Sequence, residues 1–399
     1  MPSPKPMSDP ALLVLGASLY QMPVIHRAKA RGIRVVTTDN VPSNPGHAVA
    51  DVAYSTDTTD PHGVLEIARR ERITGVIAAC TDVAVPTAAF VASSLGLRGP
   101  SPRAAEVLCD KARFRAWQAE CGLPTPPCVT LASSEPPRAP TPEGPWVLKP
   151  ARSSGSKGIF IVRSLEELAE RLPETLAFGP SALVEGFVPG VQLTCEGLLR
   201  DGAIVAVWLT RRETAPAPWV ATWGHTLPSG LDANAESAVV AAVLDVMRRL
   251  DVHDGPFDAD VVWDGEKCTI LEATPRLGGN SLSRLIETAS GFDLVDEAVR
   301  CACGEDFGLR APDPARPAAV VLLGATSRGR VTWNEDAAEA LRAEPWVKSL
   351  VFDRRIGDEV EPFLNGRHRV GEAIIVADDP SALARRYAEV RERLAVRAS

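Results

Sequence analysis

The pattern of strands and helices changes character near residue 124, and this change constrains the fold more than any other feature of the chain. Upstream, short apolar runs alternate with helical segments. Leu12–Gly16 (LLVLG) reads as a buried strand entering a Gly-Ala-Ser turn, Val24–Ala30 as a helix, and Arg34–Thr38 as a strand ending at Asp39. Helix Gly63–Arg70, strand Gly75–Ala79 and helices Ala84–Ser94 and Pro102–Leu108 follow. Strands separated by helices imply βαβ units on a parallel sheet. Residues 11–110 are therefore expected to form an N-terminal α/β domain, behind a disordered tail at 1–10. Residues 124–145 are rich in Pro, Ser and Thr and read as a linker or exposed loop. Beyond it, Trp146–Lys149, Ile159–Arg163, Ala182–Val188, Gln192–Leu199 and Ala203–Leu209 read as strands. Asp201-Gly202 and Asp264-Gly265 mark hairpins, the second joining Asp258–Trp263 to Cys268–Ala273. With helix Ala233–Leu250, residues 111–305 form an α+β unit dominated by antiparallel strands. Residues 306–399 form a smaller α+β unit, with strands near Ala319–Gly324, Lys348–Phe352 and Gly371–Val376 and a charged last helix.

Composition limits the function classes. A chain of 399 residues, 45% hydrophobic and 24% charged, suits several soluble globular units. Its apolar runs fall far short of the roughly 20 residues that span a bilayer, and MPSPKPMSDP carries no apolar signal core, so a cytoplasmic protein is expected. Eight scattered cysteines read as reduced thiols. A net charge of −8 disfavours nucleic acid and anionic membranes as partners but permits a local basic pocket for a small anion.

Three segments can carry chemistry. In VLKPARSSGSKG (147–158) an apolar strand ends at Lys149-Pro150. The small residues Ser153, Ser154, Gly155 and Ser156 follow, then Lys157 and Gly158. Small residues let backbone N–H groups approach phosphate oxygens, and lysines supply charge. The segment fits neither a Walker A loop nor a dinucleotide fingerprint, and a flexible hairpin tip is the competing reading. In FDADVVWDGEKCTILEATPRLGGN (257–280), Asp260 and Glu272 lie on partner strands of a hairpin, so both carboxylates can face one side if the register allows it. Such a pair suits Mg²⁺ shared with nucleotide phosphates. Arg276 can stabilise a transferring phosphoryl group, and Gly278-Gly279-Asn280 can bring the chain close to a ligand. A hairpin with solvated acidic faces competes. In ALVEGFVPG (182–190), Glu185, Phe187 and Val188 could border an apolar slot for adenine, although core packing explains such a strand equally well.

Taken in order, these segments resemble the ATP-grasp superfamily, which includes D-alanine–D-alanine ligase, biotin carboxylase, glycinamide ribonucleotide synthetase and the L-amino-acid ligases. LGASLYQMPVIHRAKARG, VVTTD and CTDVAVPTAAFVASSLGL look like the N-terminal domain of its carboxylate–amine ligases, and CDKARFRAWQAECGLPTP like its "DK…F" helix. The resemblance implies an ATP-grasp fold with a lid subdomain near 124–188. It implies phosphate contacts from Lys111, Lys149 and the loop Ser153–Gly158, and a nucleotide hinge at Glu185, Phe187 and Val188. Gln192 stands where Glu commonly meets ribose. Asp260 and Glu272 would hold metal, with Thr274 where many members carry Asn. The implied cofactors are ATP and Mg²⁺, with Mn²⁺ as the alternative ion.

The implied chemistry has two steps, in which Lys149 and Arg276 serve catalysis. ATP phosphorylates a substrate carboxylate, and an amine then displaces phosphate from the acyl phosphate, with the lid excluding water. The substrates are expected to be small molecules, most plausibly amino acids joined into a dipeptide or peptide-like metabolite, and many family members are homodimers. The stretch Thr210–Ser229, between the hairpin and the long helix, is expected to contribute to a substrate pocket, with solvated arginines and core tryptophans as the competing reading. Arg211 or Arg212 would bind a carboxylate, Trp219 or Trp223 would wall the pocket, and His225 opens a His-x-x-Pro segment of a kind found in amino-acid ligases. Arg276, Gly278, Gly279 and Asn280 complete the expected substrate contacts. Activation of bicarbonate by a carboxylase is the second reading, weakened by the lack of a Met-Lys-Met biotin segment. A non-catalytic nucleotide-binding protein is the third, weakened by retention of Lys111, Lys149, Asp260, Glu272 and Arg276.

Overall fold

The computed structural model describes residues 10–132, 135–153, 155–215, 220–305 and 315–399. The expected tail before Pro10, Ser154 and Trp219 lie outside these described residues. Among the described residues the strands form four sheets.

The first sheet holds β1 (Ala11–Leu15), β2 (Arg34–Thr38), β3 (Val52–Tyr54) and β4 (Gly75–Ala78), all parallel, in the order β3-β2-β1-β4. β1 is buried along its whole length, as a central parallel strand covered on both faces must be, which is why ALLVL shows no polar alternation. The loops after β1, β2 and β4 leave the carboxyl edge of this sheet, where open α/β sheets bind ligands.

The second sheet holds β5 (Cys128–Ala132), β6 (Trp146–Pro150), β7 (Phe160–Val162) and β8 (Ser181–Gly186), in the order β5-β8-β6-β7. β5 corrects the reading of 124–145 as linker: its backbone pairs with β8 from Cys128↔Glu185 to Ala132↔Ser181. Prolines before and after it mask a strand at the sheet edge, where proline is tolerated.

The third sheet forms the body. β9 (Val191–Arg200) and β10 (Ala203–Thr214) make a hairpin whose turn residues Asp201 and Gly202 both have positive φ, 48° and 75°, as Asp-Gly favours. β11 (Thr222–Leu227), β12 (Gly255–Trp263), β13 (Cys268–Thr274) and β14 (Ala318–Leu323) follow. After β15 (Gly329–Thr332) come β16 (Val347–Phe352), β17 (Glu359–Val360), β18 (Gly371–Val376) and β19 (Arg397–Ala398). The body sheet runs β13-β12-β9-β10-β11-β14-β18-β16, so the last part of the chain extends the same sheet as the middle. β17, β15 and β19 form a small satellite. The stretch Thr210–Ser229, to which the sequence assigned no element, holds the extension of β10 and β11, paired from Arg211↔Thr226 to Thr214↔Thr222.

The cores divide differently from the sheets. Leu12, Val14 and Ile77 of the first sheet share one apolar cluster with Leu285, Leu294 and Ala298 of helices Leu282–Ser290 and Leu294–Ala302, and with Val320 and Ile374 of the body sheet. The second sheet has its own cluster, formed with helix Leu165–Leu176 by Leu148, Val162, Leu168 and Leu172 among others. It is therefore packed as a separate small unit resting over the body. Among the described residues no helix is long and apolar enough to cross a membrane.

Candidate active site

A cavity of about 790 Å³ lies where the carboxyl edge of the first sheet, one face of the body sheet and the small second sheet meet. That volume is in the range of small-molecule sites, ~300–1,000 Å³. The body sheet is its floor and the second sheet its roof.

On the floor, Asp260 and Glu272 are direct cross-strand partners in β12 and β13, so their side chains share a face. The register slips between Asp260 and Val261, which pairs with Ile270. Leu271 is the extra residue, and this bulge lets the neighbours Leu271 and Glu272 both reach the cavity. The carbonyls freed there are satisfied by Arg115, whose Nη1 and Nη2 donate to Ile270 O at 3.3 Å and Leu271 O at 2.6 Å, and by Gln118 Nε2 on Ile270 O at 3.1 Å. Arg115 is 2% exposed and was missed in the sequence, where nothing distinguishes it from a surface arginine.

The roof lysine Lys149 is 6% exposed, and its Nζ lies 2.7 Å from Glu185 Oε2. Arg115 Nε donates to Glu185 Oε1 at 2.8 Å. Glu185 thus spends its carboxylate inside a buried triad. Burial outweighs this attraction for Lys149 and pulls its ammonium down to about 8. Burial alone would raise the Glu185 carboxyl, but Lys149 and Arg115 overcome it and hold it below the usual range. Lys111 is the first residue of helix Lys111–Glu120, which Asp110 caps by accepting from Ala112 N and Arg113 N. Its Nζ donates to Glu272 Oε1 at 2.9 Å and Ser153 O at 2.8 Å, joining floor to roof. Burial lowers its ammonium, yet Glu272 and Asp82 prevail and leave it raised.

Arg276 is held from two directions. Its Nε and Nη2 donate to Asp82 Oδ1 at 2.8 and 2.6 Å, and its Nη1 to Asp258 Oδ1 at 3.3 Å. Asp82 follows β4 in the segment CTDVAV, where nothing in the sequence ties it to Arg276. Beneath lie two buried carboxyls, Glu196 and Asp258: burial and then the charge of Asp258 push Glu196 upward, while burial, against the pull of Arg276 and with the repulsion of Asp260, raises Asp258. Glu196 Oε1 accepts from Gly278 N at 2.8 Å. Gly278 is therefore corrected from a substrate contact to a packing position: a Cβ there would meet Asp258 Oδ2 at 2.5 Å. Gly279 and Asn280 do line the cavity.

The pleat settles which arginine faces the cavity. Arg212, across from His225, donates to Asp260 Oδ2 at 3.0 Å and lines the wall. Arg211 points to the opposite face and donates from Nε to Ser229 O at 3.0 Å, which corrects its expected substrate contact. The alternation Leu209–Thr210–Arg211–Arg212 carries this signal, since Leu209 packs in the core beneath. His225 lines the cavity, 2% exposed, with Nδ1 3.3 Å from Thr210 Oγ1 and Nε2 unpartnered among the described residues. Burial, helped by Arg212, pushes its imidazolium down to about 3, so the ring is neutral and a weak base. Trp223 lies off the cavity, stacked on Phe363 at 6.4 Å.

Ser153, Gly155, Ser156 and Lys157 line the roof, whereas Gly158 lies behind it, where a Cβ would meet Phe178 at 2.6 Å. Phe187, Val188, Val147, Val262 and Leu271 form an apolar stretch of wall, with Gln192 beside it. Thr274 shares the strand face of Glu272 but is 1% exposed and lies off the cavity wall, its Oγ1 unpartnered; this corrects its expected place among the metal ligands. Among the described residues no three His, Cys, Asp or Glu side chains form a self-sufficient metal site. Asp260 and Glu272 nevertheless fit Mg²⁺. Both are hard carboxylates that draw cationic head groups, Arg212 and Lys111, to the spot between floor and roof, and Mg²⁺ takes its remaining ligands from phosphate and water.

Comparison with known proteins yields a consistent set. A family described as "ATP-grasp domain" matches residues 143–284, and one described as "L-amino acid ligase C-terminal domain 2" matches residues 322–399. The chain is 27% identical over 413 aligned residues to a formate-dependent phosphoribosylglycinamide formyltransferase of Bordetella bronchiseptica, covering 98% of this chain and 97% of that protein. It is 28% identical to the uncharacterised protein y4rH of Sinorhizobium fredii over 74% of this chain, and the match spans 62% of that longer protein. The crystal structure of an L-amino acid ligase from Bacillus licheniformis superposes with a TM-score of 0.80 at 18% identity, covering 97% of this chain and 98% of that one.

Proposed function

We infer the reaction of this chain from the family it belongs to, the ATP-grasp superfamily: it is an ATP-dependent, ADP-forming ligase of the carboxylate–amine type. Its finer role is our proposal. It joins an amino acid to a second amine, forming a dipeptide or peptide-like metabolite, and the substrates are small molecules. The observation that carries this reading is the cross-strand pair Asp260–Glu272 under two buried lysines, with Arg276 fixed at one side of the same cavity.

In this reading the adenine lies along Phe187, Val188, Val262 and Leu271, and Gln192 meets the ribose. Lys111, Lys149 and the backbone around Ser153–Lys157 hold the phosphates. Phosphoryl transfer needs positioning and neutralisation of charge more than covalent help from the protein. Asp260 and Glu272 would hold Mg²⁺, which when bound neutralises phosphate charge. Arg276, braced by Asp82 and Asp258, faces the oxygens of the transferring group. The substrate carboxylate attacks the terminal phosphorus, ADP departs, and the acyl phosphate is held between floor and roof away from water. The amine then attacks the acyl carbon and phosphate leaves. His225, neutral at working pH, offers its Nε2 to substrate as a hydrogen-bonding group and not as a proton sink.

The experiment is ADP and phosphate release against a panel of amino-acid pairs, with product mass. A condensed product with one ADP per bond is expected. ADP formed with bicarbonate and with no amino acid would overturn the reading.

A further inference from the structure

The cations on the cavity wall fall into two groups. Lys111, Lys149, Arg152, Arg212 and Arg276 each have a carboxylate partner: Glu272, Glu185, Asp110, Asp260 and Asp82. Lys157 and Arg367 line the same cavity, and among the described residues neither side chain has an ion pair or a hydrogen bond. The chain segments that carry them meet, Gly366 N donating to Gly155 O. Burial and then the charge of Arg367 depress the half-buried Lys157 ammonium, and the attraction of Asp82 does not offset them.

Arg367 does not reach this spot as a loose surface side chain. It sits in a short turn, Gly366–His368, where Asn365 Oδ1 accepts from Arg367 N at 3.0 Å. On one side Gly366 N donates to Gly155 O of the roof loop at 3.3 Å. On the other, Tyr20 Oη, from the loop after β1, donates to Gly366 O at 3.0 Å. The turn is thus pinned between roof and body, and it sets two like charges on the wall of one cavity at the seam. Adjacent cations repel, and the cost is relieved when an anion comes between them. Asp82, the acid whose charge acts on Lys157, cannot serve, because it is committed to Arg276.

We propose that Lys157 and Arg367 form an oxyanion clamp, which draws the roof loop onto the C-terminal turn when a phosphoryl or carboxylate group of a ligand enters the cavity. Arg367 becomes a ligand-contacting residue from the C-terminal unit, outside every motif of the nucleotide site. The proposal rests on the ligase reading only for the source of the anion: the terminal phosphoryl of the nucleotide or the carboxylate of a substrate.

The test is calorimetry on the full chain and on Arg367→Ala and Arg367→Lys. The probes are MgATP, MgADP, and inorganic phosphate or acetate added to the MgADP-loaded protein. A melting curve checks that the exposed substitution leaves the fold intact. Wild type should bind MgATP and at least one of the two small anions. Arg367→Ala should lose about tenfold or more for that anion while MgADP stays within about twofold, and Arg367→Lys should recover most of the loss. A loss confined to MgATP and phosphate assigns the clamp to the phosphoryl group, and a loss confined to acetate assigns it to a carboxylate. Equal affinities in wild type and Arg367→Ala, or no anion binding by wild type, overturn the clamp. Failure of the ligase reading shows separately, as absence of ADP formation by wild type with every amino-acid pair.

Discussion

The floor and the roof of the cavity are built on opposite plans. The floor belongs to an eight-stranded sheet whose core is continuous with the N-terminal sheet, and its charged groups are already paired: Asp260 with Arg212, Glu272 with Lys111, Arg276 with Asp82. The roof is a four-stranded sheet with its own small core, and it presents one buried paired lysine, Lys149, and one half-buried unpaired lysine, Lys157. A preorganised floor can stabilise developing charge without rearranging. A roof with a separate core can move as a body and close when a ligand completes its charge pairing.

The sharpest way to break this contrast is on the floor. Glu272→Gln should lower ADP release by about 10²-fold or more at saturating Mg²⁺, because it removes one of two carboxylates available to the ion. Full activity would remove Glu272 from the metal site. On the roof, Lys149→Ala should cost about 10² in kcat/KM for MgATP while the fold persists, since Arg115 still neutralises Glu185. Unchanged turnover would sink its phosphate role.

Lys149 also gives the roof a pH signature. Its folded ammonium loses its proton near pH 8, whereas an unfolded lysine does so near ~10.4. Between these values the folded chain binds fewer protons than the unfolded chain, so stability rises with pH across that window. Over the same window kcat/KM for MgATP should fall, because the charge that meets phosphate is lost. Urea melts and pH–rate profiles should therefore slope in opposite directions above pH 8, and parallel slopes would contradict the burial argument.

Smaller effects follow from packing. Gly278→Ala forces a methyl against Asp258 and should cost about 1–3 kcal/mol, read as a lower melting temperature. Arg211→Ala, pointing away from the cavity, should change KM for any substrate by less than about twofold, while Arg212→Ala raises it. The reverse ranking would mean that the pleat of β10 had been assigned to the wrong face.

Much of this architecture was legible in the residues. LLVLG and RVVTT marked the parallel sheet, and Asp-Gly marked both body hairpins, because turn chemistry and burial are local properties. Hairpin spacing placed Asp260 and Glu272 on partner strands, but their direct pairing depends on the register shift at Leu271, which the sequence does not reveal. What sequence could not supply depended on distant chain meeting distant chain. Asp82 acquires its role only because the loop after β4 reaches Arg276, and Arg115 only because a bulge at Leu271 frees two carbonyls. β11 was not read as a strand, since its edges are set by pairing with β10 and with the distant β14. Arg367 carries no motif at all.

The shared body sheet also bears on how the chain is made. All strands of the roof lie between Cys128 and Gly186, so that sheet can close while synthesis is still under way. β11, by contrast, ends at Leu227 and must wait for Ala318–Leu323 to emerge before its outer edge is covered, and β14 must wait in turn for Gly371–Val376. From the synthesis of Leu227 until that of Gly371–Val376 the growing chain thus carries an open strand edge, which exposes it to mispairing with other chains. Gly371–Val376, far along the chain from β11, is thus the strand that lets β14 close this part of the body sheet.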